Sequence, residues 1–334
     1  MAINNGTMNS IAVWWDKQDD LKVHLDVNIW HTKESKNNYL EFGLKITNYK
    51  KIDKLHIYIP YDIDIDDIED KAGLLSSEPS LTKAMFNENL DVTPPSGSFS
   101  TVKFHDETID NFLYCKLDKE NDINIKDQIV TLEINKNNKK NINTIYYRFR
   151  INKLESIFTE SDENYILLDG LFKKNGFLEV NINSVRKLPS SVVDKLSDIK
   201  FTSMNLFLMT NNFTNFIFKS EEVKKSRILE NHIWEEYLSK ENAKDINKII
   251  AYHWKRENFE DYNLFVKISY ITKSNLLIGL MILSILSLGA ISGVFGNYIT
   301  KKWCNDFNDM SMVKKTKDIN STIPIIKGDK NETN

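Results

Sequence analysis

The uncharged segment LLIGLMILSILSLGAISGVFG, residues 276–296, constrains the fold more than any other stretch of the chain. It also contains no Asn, Gln or Pro. A helix of about 21 residues is roughly 30 Å long, which matches the hydrocarbon core of a bilayer. Leu, Ile, Val and Phe favour insertion by roughly 0.3–0.6 kcal/mol each. The segment therefore predicts one transmembrane helix, which we place at residues 274–299.

Aromatic and basic residues flank this segment on both sides. A buried helix of a soluble domain is the alternative, but such a helix must be covered on all its faces. Aromatic rings and long cations suit the two lipid–water interfaces of a membrane. We therefore predict that the membrane-interface residues are Tyr270, Lys273, Tyr298, Lys301, Lys302 and Trp303.

The apolar segment also carries small residues at regular spacing. Gly289 and Gly293 form a GxxxG pair, and Ser292 and Gly296 repeat the same spacing. Small side chains let two helix backbones approach closely in lipid, where no hydrophobic force drives association. The pattern predicts self-association through this helix, with a plain membrane anchor as the alternative.

Composition limits the partners and the compartment. The chain has 334 residues, of which 27% are charged, and its net charge of -3 argues against nucleic acid as a partner. Its two cysteines, Cys115 and Cys304, lie on opposite sides of the predicted span, so a disulfide between them is not expected. The first twenty residues lack the basic and apolar regions of a secretory signal. We expect a single-pass membrane protein with its large N-terminal domain in the cytoplasm, although the flanking lysines do not support this orientation.

Strict alternation of apolar and polar residues marks the region before the membrane segment as β-rich. It occurs over residues 21–30 and 40–46, which predict an antiparallel hairpin, and strands follow at 55–59 and 99–104. In residues 142–151, Tyr146, Arg148 and Arg150 share one face. Three further hairpins are predicted from residues 129–134 with 142–151, 165–172 with 177–183, and 201–210 with 216–219.

These strands predict a mainly β fold with an antiparallel sandwich-like domain over residues 1–219. The domain is either one large unit or two small ones, divided near the loop at residues 92–98. Apolar spacing changes to a helical period after residue 219, which predicts an α-helical neck over residues 220–273. Residues 300–334 are polar and are predicted to be disordered.

Six carboxylates crowd the segment YDIDIDDIED, residues 61–70. Asp62, Asp64 and Asp66 resemble the opening of a calcium loop, and they are our candidate metal ligands. Asp67 and Gly73 stand where that loop requires Gly and Glu. The alternative is a charged edge strand that repels other edges.

The sequence contains no catalytic motif that we can assign. The six histidines have no zinc-binding spacing, and no phosphate loop, Gly-x-Ser-x-Gly elbow or kinase motif occurs. We therefore predict no catalytic residues and no cofactor. The leading hypothesis is a membrane-anchored, non-enzymatic β-rich binding or sensor module that contacts the bilayer and associates with itself or with a protein partner. The alternatives are an oligomerising effector that perturbs the bilayer and a membrane-tethered, metal-dependent enzyme.

Overall fold

The computed structural model describes residues 10–16, 18–31, 38–138, 140–152, 159–161, 173–211, 214–238, 249–271 and 275–319. The chain divides into two units, Met1–Thr272 and Lys273–Asn334. All the described strands belong to the first unit, and the described part of the second is a single long helix. The loop at residues 92–98 lies within the first unit.

Strands dominate the first unit. In chain order they are β1 (Ala12–Trp15), β2 (Lys22–His31), β3 (Tyr39–Thr47), β4 (Lys54–Tyr58), β5 (Ile68–Asp70), β6 (Leu90–Val92), β7 (Phe99–Phe104), β8 (Phe112–Cys115), β9 (Ile123–Lys126), β10 (Ile129–Glu133), β11 (Thr144–Ile151), β12 (Thr159–Ser161), β13 (Lys173–Ile182), β14 (Phe201–Asn211), β15 (Thr214–Lys219), β16 (Lys225–Ile228), β17 (Ile249–Phe259) and β18 (Tyr262–Ile271). The helices are α1 (Ala72–Ser77), α2 (Pro79–Phe86), α3 (Lys119–Asp122), α4 (Ser190–Val193), α5 (Asn231–Trp234) and α6 (Asn275–Ile319). The mainly β prediction is confirmed.

A ten-stranded sheet, called the central sheet here, organises this unit. Its order is β16-β17-β14-β2-β3-β11-β8-β7-β6, and β5 also pairs with β11. Two of its ladders, β14 with β2 and β11 with β8, are parallel, and the others are antiparallel. Two four-stranded sheets, β1-β4-β10-β9 and β12-β13-β18-β15, complete the strand set. A bridge between Ile11 and Ile182 connects these two smaller sheets.

One apolar core joins all three sheets into a sandwich. Alternate residues of β2, β3 and β11, such as Leu25, Phe42 and Phe149, enter this core together with Ile57 of β4 and Val266 of β18. The rings of Phe42 and Phe149 lie 5.5 Å apart across neighbouring strands. Each such side chain contributes about 1.5–3 kcal/mol when it is fully buried. The alternation of apolar and polar residues along these strands therefore builds the predicted sandwich-like arrangement, because it turns one face of each strand to the shared core.

The opposite face of the central sheet is covered in part by a second apolar cluster. It includes Trp30 and Tyr146 from the sheet, Leu75 of α1, Leu81 of α2 and Tyr237 after α5. Polar residues of the same face that lie under this apolar cluster are therefore removed from water.

The predicted β2–β3 hairpin is confirmed, with Lys22 opposite Thr47 and Trp30 opposite Tyr39. The hairpin of residues 129–134 with 142–151 is wrong, because β10 pairs with β4 and β9 while β11 pairs with β3, β5 and β8. Successive strands here cross between the layers of the sandwich. The predicted hairpin of residues 201–210 with 216–219 is wrong for the same reason, because β14 and β15 belong to different sheets.

The predicted hairpin of residues 165–172 with 177–183 has its turn at residues 173–176, and this turn is also wrong. Those residues lie inside β13, which pairs with β18 from Lys173 opposite Ile271 to Ile182 opposite Tyr262. The preceding predicted strand, residues 165–172, lies outside the described residues. A local turn signal was outweighed by a ten-residue ladder to a distant strand.

The α-helical neck predicted for residues 220–273 is wrong in its described part. Residues 225–228, 249–259 and 262–271 are strands, and α5 is a single short turn of helix. Leu264, Phe265, Ile268 and Ile271 fit a helical period, but Leu264, Val266 and Ile268 also fit a period of two. Short apolar runs do not distinguish these periods, and the Ile, Val, Tyr and Phe content favours strands.

Helix α6 contains the predicted membrane segment. The most apolar 18-residue window within Ile278–Phe307 has a mean hydropathy of 2.2, and this is the one helix in the described residues that is long and apolar enough to cross a membrane. The helix continues to Ile319, so the predicted disorder is wrong for residues 300–319. No Gly or Pro interrupts the chain between Gly296 and Pro324, and without these breakers the helix propagates. Residues 320–334 lie outside the described residues.

Candidate functional site: a polar network across the central sheet

Polar side chains of five strands meet on the partly covered face of the central sheet. Alternation in β2, β3, β11, β14 and β17 turns their apolar residues to the sandwich core and their polar residues to this face. The residues that share this face and that we call the polar network are His24, Asp26, Asn28, Glu41, Tyr146, Arg148, Arg150, Ser203, Asn205 and His253, with Tyr237 packed over them.

Glu41 is the centre of the buried half of the network. Its side chain is fully buried, and Oε1 accepts hydrogen bonds of 2.9 and 2.7 Å from Nε and Nη2 of Arg150. Oε2 accepts from Nη2 of Arg148 at 2.9 Å and from the Tyr237 hydroxyl at 2.8 Å. Asn28 adds a fifth donor at 3.3 Å. Both carboxylate oxygens are therefore saturated.

The two arginines have further partners in the same place. Nε of Arg148 donates to the Tyr237 hydroxyl at 2.8 Å, and the guanidinium of Arg150 lies 4.0 Å from the centre of the Tyr39 ring. Lys71 donates to Glu69 at 2.6 Å, and Arg150 lies 3.9 Å from the same glutamate. Burial of these charges is tolerated because each has an oppositely charged partner.

Electrostatics keep the buried carboxylate ionised. Burial alone would raise the pKa of Glu41, but the neighbouring Arg150 and Arg148 outweigh it and lower the pKa to about 2. The same attraction raises the pKa of Arg150 above its ordinary value. This half of the network is an ion cluster whose charged groups are paired within the protein, and it ties β3 and β11 to the segment that carries Tyr237.

Tyr146 connects the buried half to the open half. Its hydroxyl accepts from Nη1 of Arg148 at 3.0 Å and donates to Oδ2 of Asp26 at 3.0 Å. To reach Asp26 the phenol crosses Gly43, which is the register partner of both Asp26 and Arg148. A Cβ on Gly43 would overlap the Tyr146 hydroxyl. Glycine at this position therefore makes room for the connection.

The open half lies on β2, β14 and β17. The His24 ring sits between Ser203, which contacts Nδ1, and Asp26, whose Oδ1 is 3.0 Å from Nε2. Asn205 donates to Asp26 at 2.9 Å and accepts from Nε2 of His253 at 2.9 Å. The side chain of His24 is 23% exposed, and Ser203, Asn205 and His253 are also partly exposed. These side chains are therefore partly open to solvent, unlike the ion cluster around Glu41.

His253 is held neutral at the edge of the open half. Burial lowers its pKa, and the ammonium groups of Lys224, Lys225 and Lys255 add to this, so that the pKa falls to about 4 despite the opposing effect of Asp26. Its ring stacks on Phe207 with centroids 4.4 Å apart. A neutral imidazole among lysines offers hydrogen bonding within a positive local field.

Asp26 is ionised at the bottom of the open half. Burial would raise its pKa, but His24 and Arg148 lower it to about 2. A hydroxyl, an imidazole, a carboxylate, an amide and a second imidazole thus follow one another in a chain of hydrogen bonds from Ser203 to His253. The chemistry available is hydrogen bonding to a polar ligand, with Ser203, His24 and Asp26 also ordered as a hydroxyl, an imidazole and a carboxylate.

The structure does not bring the candidate metal ligands together. Asp62 accepts from Nε2 of Gln128 at 3.1 Å, and Asp64 precedes a short 3₁₀ helix in which Asp66 lies. Within the described residues no three His, Cys, Asp or Glu side chains are grouped to hold a metal ion. A metal site at Asp62, Asp64 and Asp66 stays a prediction without geometric support.

The residues predicted for the membrane segment fall on α6 or beside it. Gly289, Ser292, Gly293 and Gly296 lie within about 100° of the helix circumference. Added Cβ atoms at the three glycines would meet nothing within 4 Å. Tyr298, Lys301, Lys302 and Trp303 are exposed on the same helix, Tyr270 lies in β18, and Lys273 is outside the described residues. Their roles at lipid interfaces and in association stay predictions.

Sequence reasoning missed the polar network. It identified the shared face of Tyr146, Arg148 and Arg150, but half-buried strands normally turn such residues to water. The missing information was the pairing of β3 with β11, which places Glu41 opposite Arg150 across a sequence separation of 109 residues. In the sequence, the one signal of this pairing is the opposite charge of Glu41 and Arg150 on two strands with the same alternating pattern.

Comparison with protein-family models and with curated proteins gives no match for this chain. The described architecture is a β-rich unit and a C-terminal apolar helix, and it is consistent with a single-pass membrane protein.

Proposed function

We propose that this protein is a single-pass, membrane-anchored, non-enzymatic binding module with its β-rich domain in the cytoplasm. The open half of the polar network binds a small polar ligand that carries negative charge. Helix α6 anchors the protein and associates with α6 of other copies through Gly289, Ser292, Gly293 and Gly296. The observation that carries the binding proposal is the row of partly exposed polar atoms from Ser203 to His253.

The charges around this row support an anionic ligand. Lys224, Lys225 and Lys255 are near enough to lower the pKa of His253, whereas Asp26 is already engaged by His24, Tyr146 and Asn205. Among the three lysines, Lys255 also pairs with Glu257 at 2.5 Å. A phosphate-bearing ligand would meet the remaining ammonium groups together with neutral donors, and charge-assisted hydrogen bonds are the stronger kind.

The backbone around Ser203 supports binding over acyl transfer. Stabilising an oxyanion requires preorganised donors that point at the developing charge. Strand β14 is flanked by β2 and β17, and β2 is flanked by β14 and β3, so their amides are used in ladders within the sheet plane. They are not directed at a substrate above Ser203. The hydroxyl, imidazole and carboxylate therefore act as hydrogen-bonding groups for a ligand.

A thermal-shift experiment tests the binding proposal. The full chain in mild detergent is heated with inorganic pyrophosphate and with a panel of nucleotides. A ligand at about 100 times its Kd stabilises the folded state by about 2.7 kcal/mol, which raises the Tm. We expect at least one of these probes to do so, and we expect Asn205→Ala to remove the shift. Asn124→Ala, an exposed change on β9, is the matched control and keeps it.

Two results would contradict this function. If no phosphate-bearing probe shifts the Tm, or if Asn205→Ala leaves the shift unchanged, the open half is not the binding site. If a probe is turned over and Ser203→Ala abolishes the turnover, the protein is an enzyme and the hydroxyl is its nucleophile.

Cysteine labelling tests the orientation. Cys115 is buried and Cys304 is exposed on α6, beyond the apolar segment. With a cytoplasmic β-rich domain, Cys304 faces the outside and reacts with a membrane-impermeant maleimide in intact cells or spheroplasts. The Cys304→Ser variant serves as the blank. Labelling that requires lysis would reverse the proposed orientation.

A further inference from the structure

Three phenylalanines cluster on the outer face of the small sheet β12-β13-β18-β15. The ring of Phe265 lies 6.0 Å from the ring of Phe177 and 6.0 Å from that of Phe218, measured between centroids. Phe218 is 54% exposed and Phe265 is 36% exposed, and the neighbouring Ile217 is 52% exposed. We call these four side chains the aromatic patch. Large aromatic groups gathered in water mark a contact surface.

The register of the sheet explains why the patch faces outward. Leu264, Val266 and Ile268 of β18 enter the sandwich core, so Phe265 and Lys267 between them point to the other face. Lys267 is the register partner of both Phe177 on β13 and Phe218 on β15. The ladder of β15 is interrupted between Phe216 and Phe218, and this irregularity leaves Ile217 exposed beside Phe218. The patch is therefore built by the ladder and not by a loose loop.

The chain that carries the patch continues directly into the membrane helix. Strand β18 ends at Ile271 and α6 begins at Asn275, so three residues connect them. Fully extended, this connection spans at most about 14 Å. Phe265 precedes Ile271 by six residues, which is about 20 Å along a strand. Only a short length of chain therefore separates the aromatic patch from the helix that we propose lies in the bilayer.

The chemistry of the patch fits the boundary between lipid headgroups and acyl chains. Aromatic and branched apolar side chains favour this boundary, and lysine at the same level attracts anionic lipids. Lys267 lies in the row between Phe177 and Phe218, at the position where a headgroup phosphate would meet it. A weak contact is sufficient here, because the anchor already holds the domain at a high effective concentration near the membrane.

We propose that the aromatic patch docks on the surface of the bilayer that holds α6, with Lys267 facing anionic phospholipid headgroups. This inference rests on the membrane anchoring proposed above. It assigns a lipid-facing side to the β-rich domain, through the sheet that does not contain the polar network.

A fluorescent label compares the patch with an exposed site elsewhere. Phe218→Cys in a Cys304→Ser background is labelled with bimane, and Cys115 stays buried and unlabelled. The matched control is Ile228→Cys on β16, whose native side chain is 59% exposed and lies in the central sheet. Both full-length proteins are reconstituted in phosphatidylcholine vesicles that contain about one third phosphatidylglycerol, with or without doxyl-labelled lipid.

Docking predicts opposite behaviour at the two positions. Doxyl lipid quenches bimane at position 218 at least about twofold more strongly than at position 228, and aqueous iodide quenches it less. Adding Lys267→Glu, or omitting phosphatidylglycerol, lowers the doxyl quenching at 218. Equal quenching at the two positions would overturn the proposal. Protection from iodide without lipid quenching would also overturn it and would indicate that a second copy covers the patch.

A flotation measurement on the same samples separates this inference from the proposed anchoring. If the protein floats with the vesicles and stays with them in alkaline carbonate while position 218 shows no lipid quenching, the docking inference alone fails. If the protein does not float, the membrane anchoring fails, and the docking inference fails with it.

Discussion

Tyr146 donates its hydroxyl hydrogen to Asp26 across the Cα of Gly43, at an oxygen–oxygen distance of 3.0 Å. The three residues stand on adjacent strands, with Gly43 opposite Asp26 on one side. This contact joins a partly exposed row of polar atoms to an ion cluster that is closed to water. Any change at Gly43 therefore affects both halves of the network.

Gly43→Ala is expected to destabilise the protein by about 1–3 kcal/mol, the usual cost of overpacking a close-packed interior. The new methyl group would overlap the Tyr146 hydroxyl and stand 3.0 Å from Cβ of Asp26. Urea unfolding of the full chain in mild detergent measures the change. Adding Tyr146→Phe removes the overlapping oxygen and recovers part of the loss. Additive effects of the two substitutions would contradict the steric explanation.

Glu41→Gln tests the buried ion cluster. Removing one charge leaves Arg148 and Arg150 without their shared counter-ion in a buried site, and breaking a buried pair costs about 3–5 kcal/mol. Glu133→Gln is the matched control, because Glu133 pairs with Lys54 at 2.6 Å on the surface, where such pairs contribute about 0–1 kcal/mol. Equal losses of unfolding free energy in the two variants would show that the cluster does not stabilise the fold.

The alternating pattern predicted the strands that carry the network, but not their partners. Period-two spacing correctly placed Leu25 and Phe42 in a core and joined β2 to β3, since neighbouring strands with a short connection pair locally. It failed for β10 and β11, because a sandwich can send consecutive strands into different layers without any local signal. Burial of Glu41 likewise depends on β11 and Tyr237, which lie far away in sequence.

The region after residue 219 shows the same limit in another form. The spacing of Leu264, Phe265 and Ile268 fits a helix as well as a strand, and only the ladder of β18 with β13 decides between them. The apolar run of α6 was easier to predict, because its length and lack of charge suffice without any partner. Polar composition alone predicts disorder after residue 299, and the extension of α6 to Ile319 shows that polar residues without Gly or Pro continue the helix.

Acid is expected to destabilise the folded state in two stages. The pKa of His253 falls from 6.5 to about 4 on folding, so the unfolded chain binds more protons there and stability declines as the pH drops through this interval. The pKa values of Glu41 and Asp26 fall from 4.5 and 3.8 to about 2. Their contribution is complete above about pH 4.5 and is lost as the pH approaches 2.

His253→Gln isolates the first stage. The variant should show a flatter dependence of unfolding free energy on pH between about pH 6.5 and pH 4, whereas the loss at lower pH remains. His105 is exposed and follows β7, near the edge of the central sheet opposite to β17. The variant His105→Gln should therefore keep both stages of the pH dependence. Measuring urea unfolding at several pH values gives the two slopes. An unchanged first slope in His253→Gln would show that another group titrates there.

Association through α6 is expected to depend on one face of the helix. Gly289 and Gly293 are separated by 400° of helix rotation, which is 40° more than a full turn, so they lie on one face. Gly289→Ile and Gly293→Ile add branched side chains to this face and should weaken cross-linking of the full chain in vesicles by about tenfold or more. The reason is that close approach of the two backbones provides the van der Waals contact. Ser287→Ile adds similar bulk at a rotation of about 200° from Gly289 and should leave cross-linking unchanged. All three positions lie in the apolar helix, so insertion is preserved. Equal cross-linking in the glycine variants and wild type would reduce α6 to an anchor and leave any assembly to the β-rich domain.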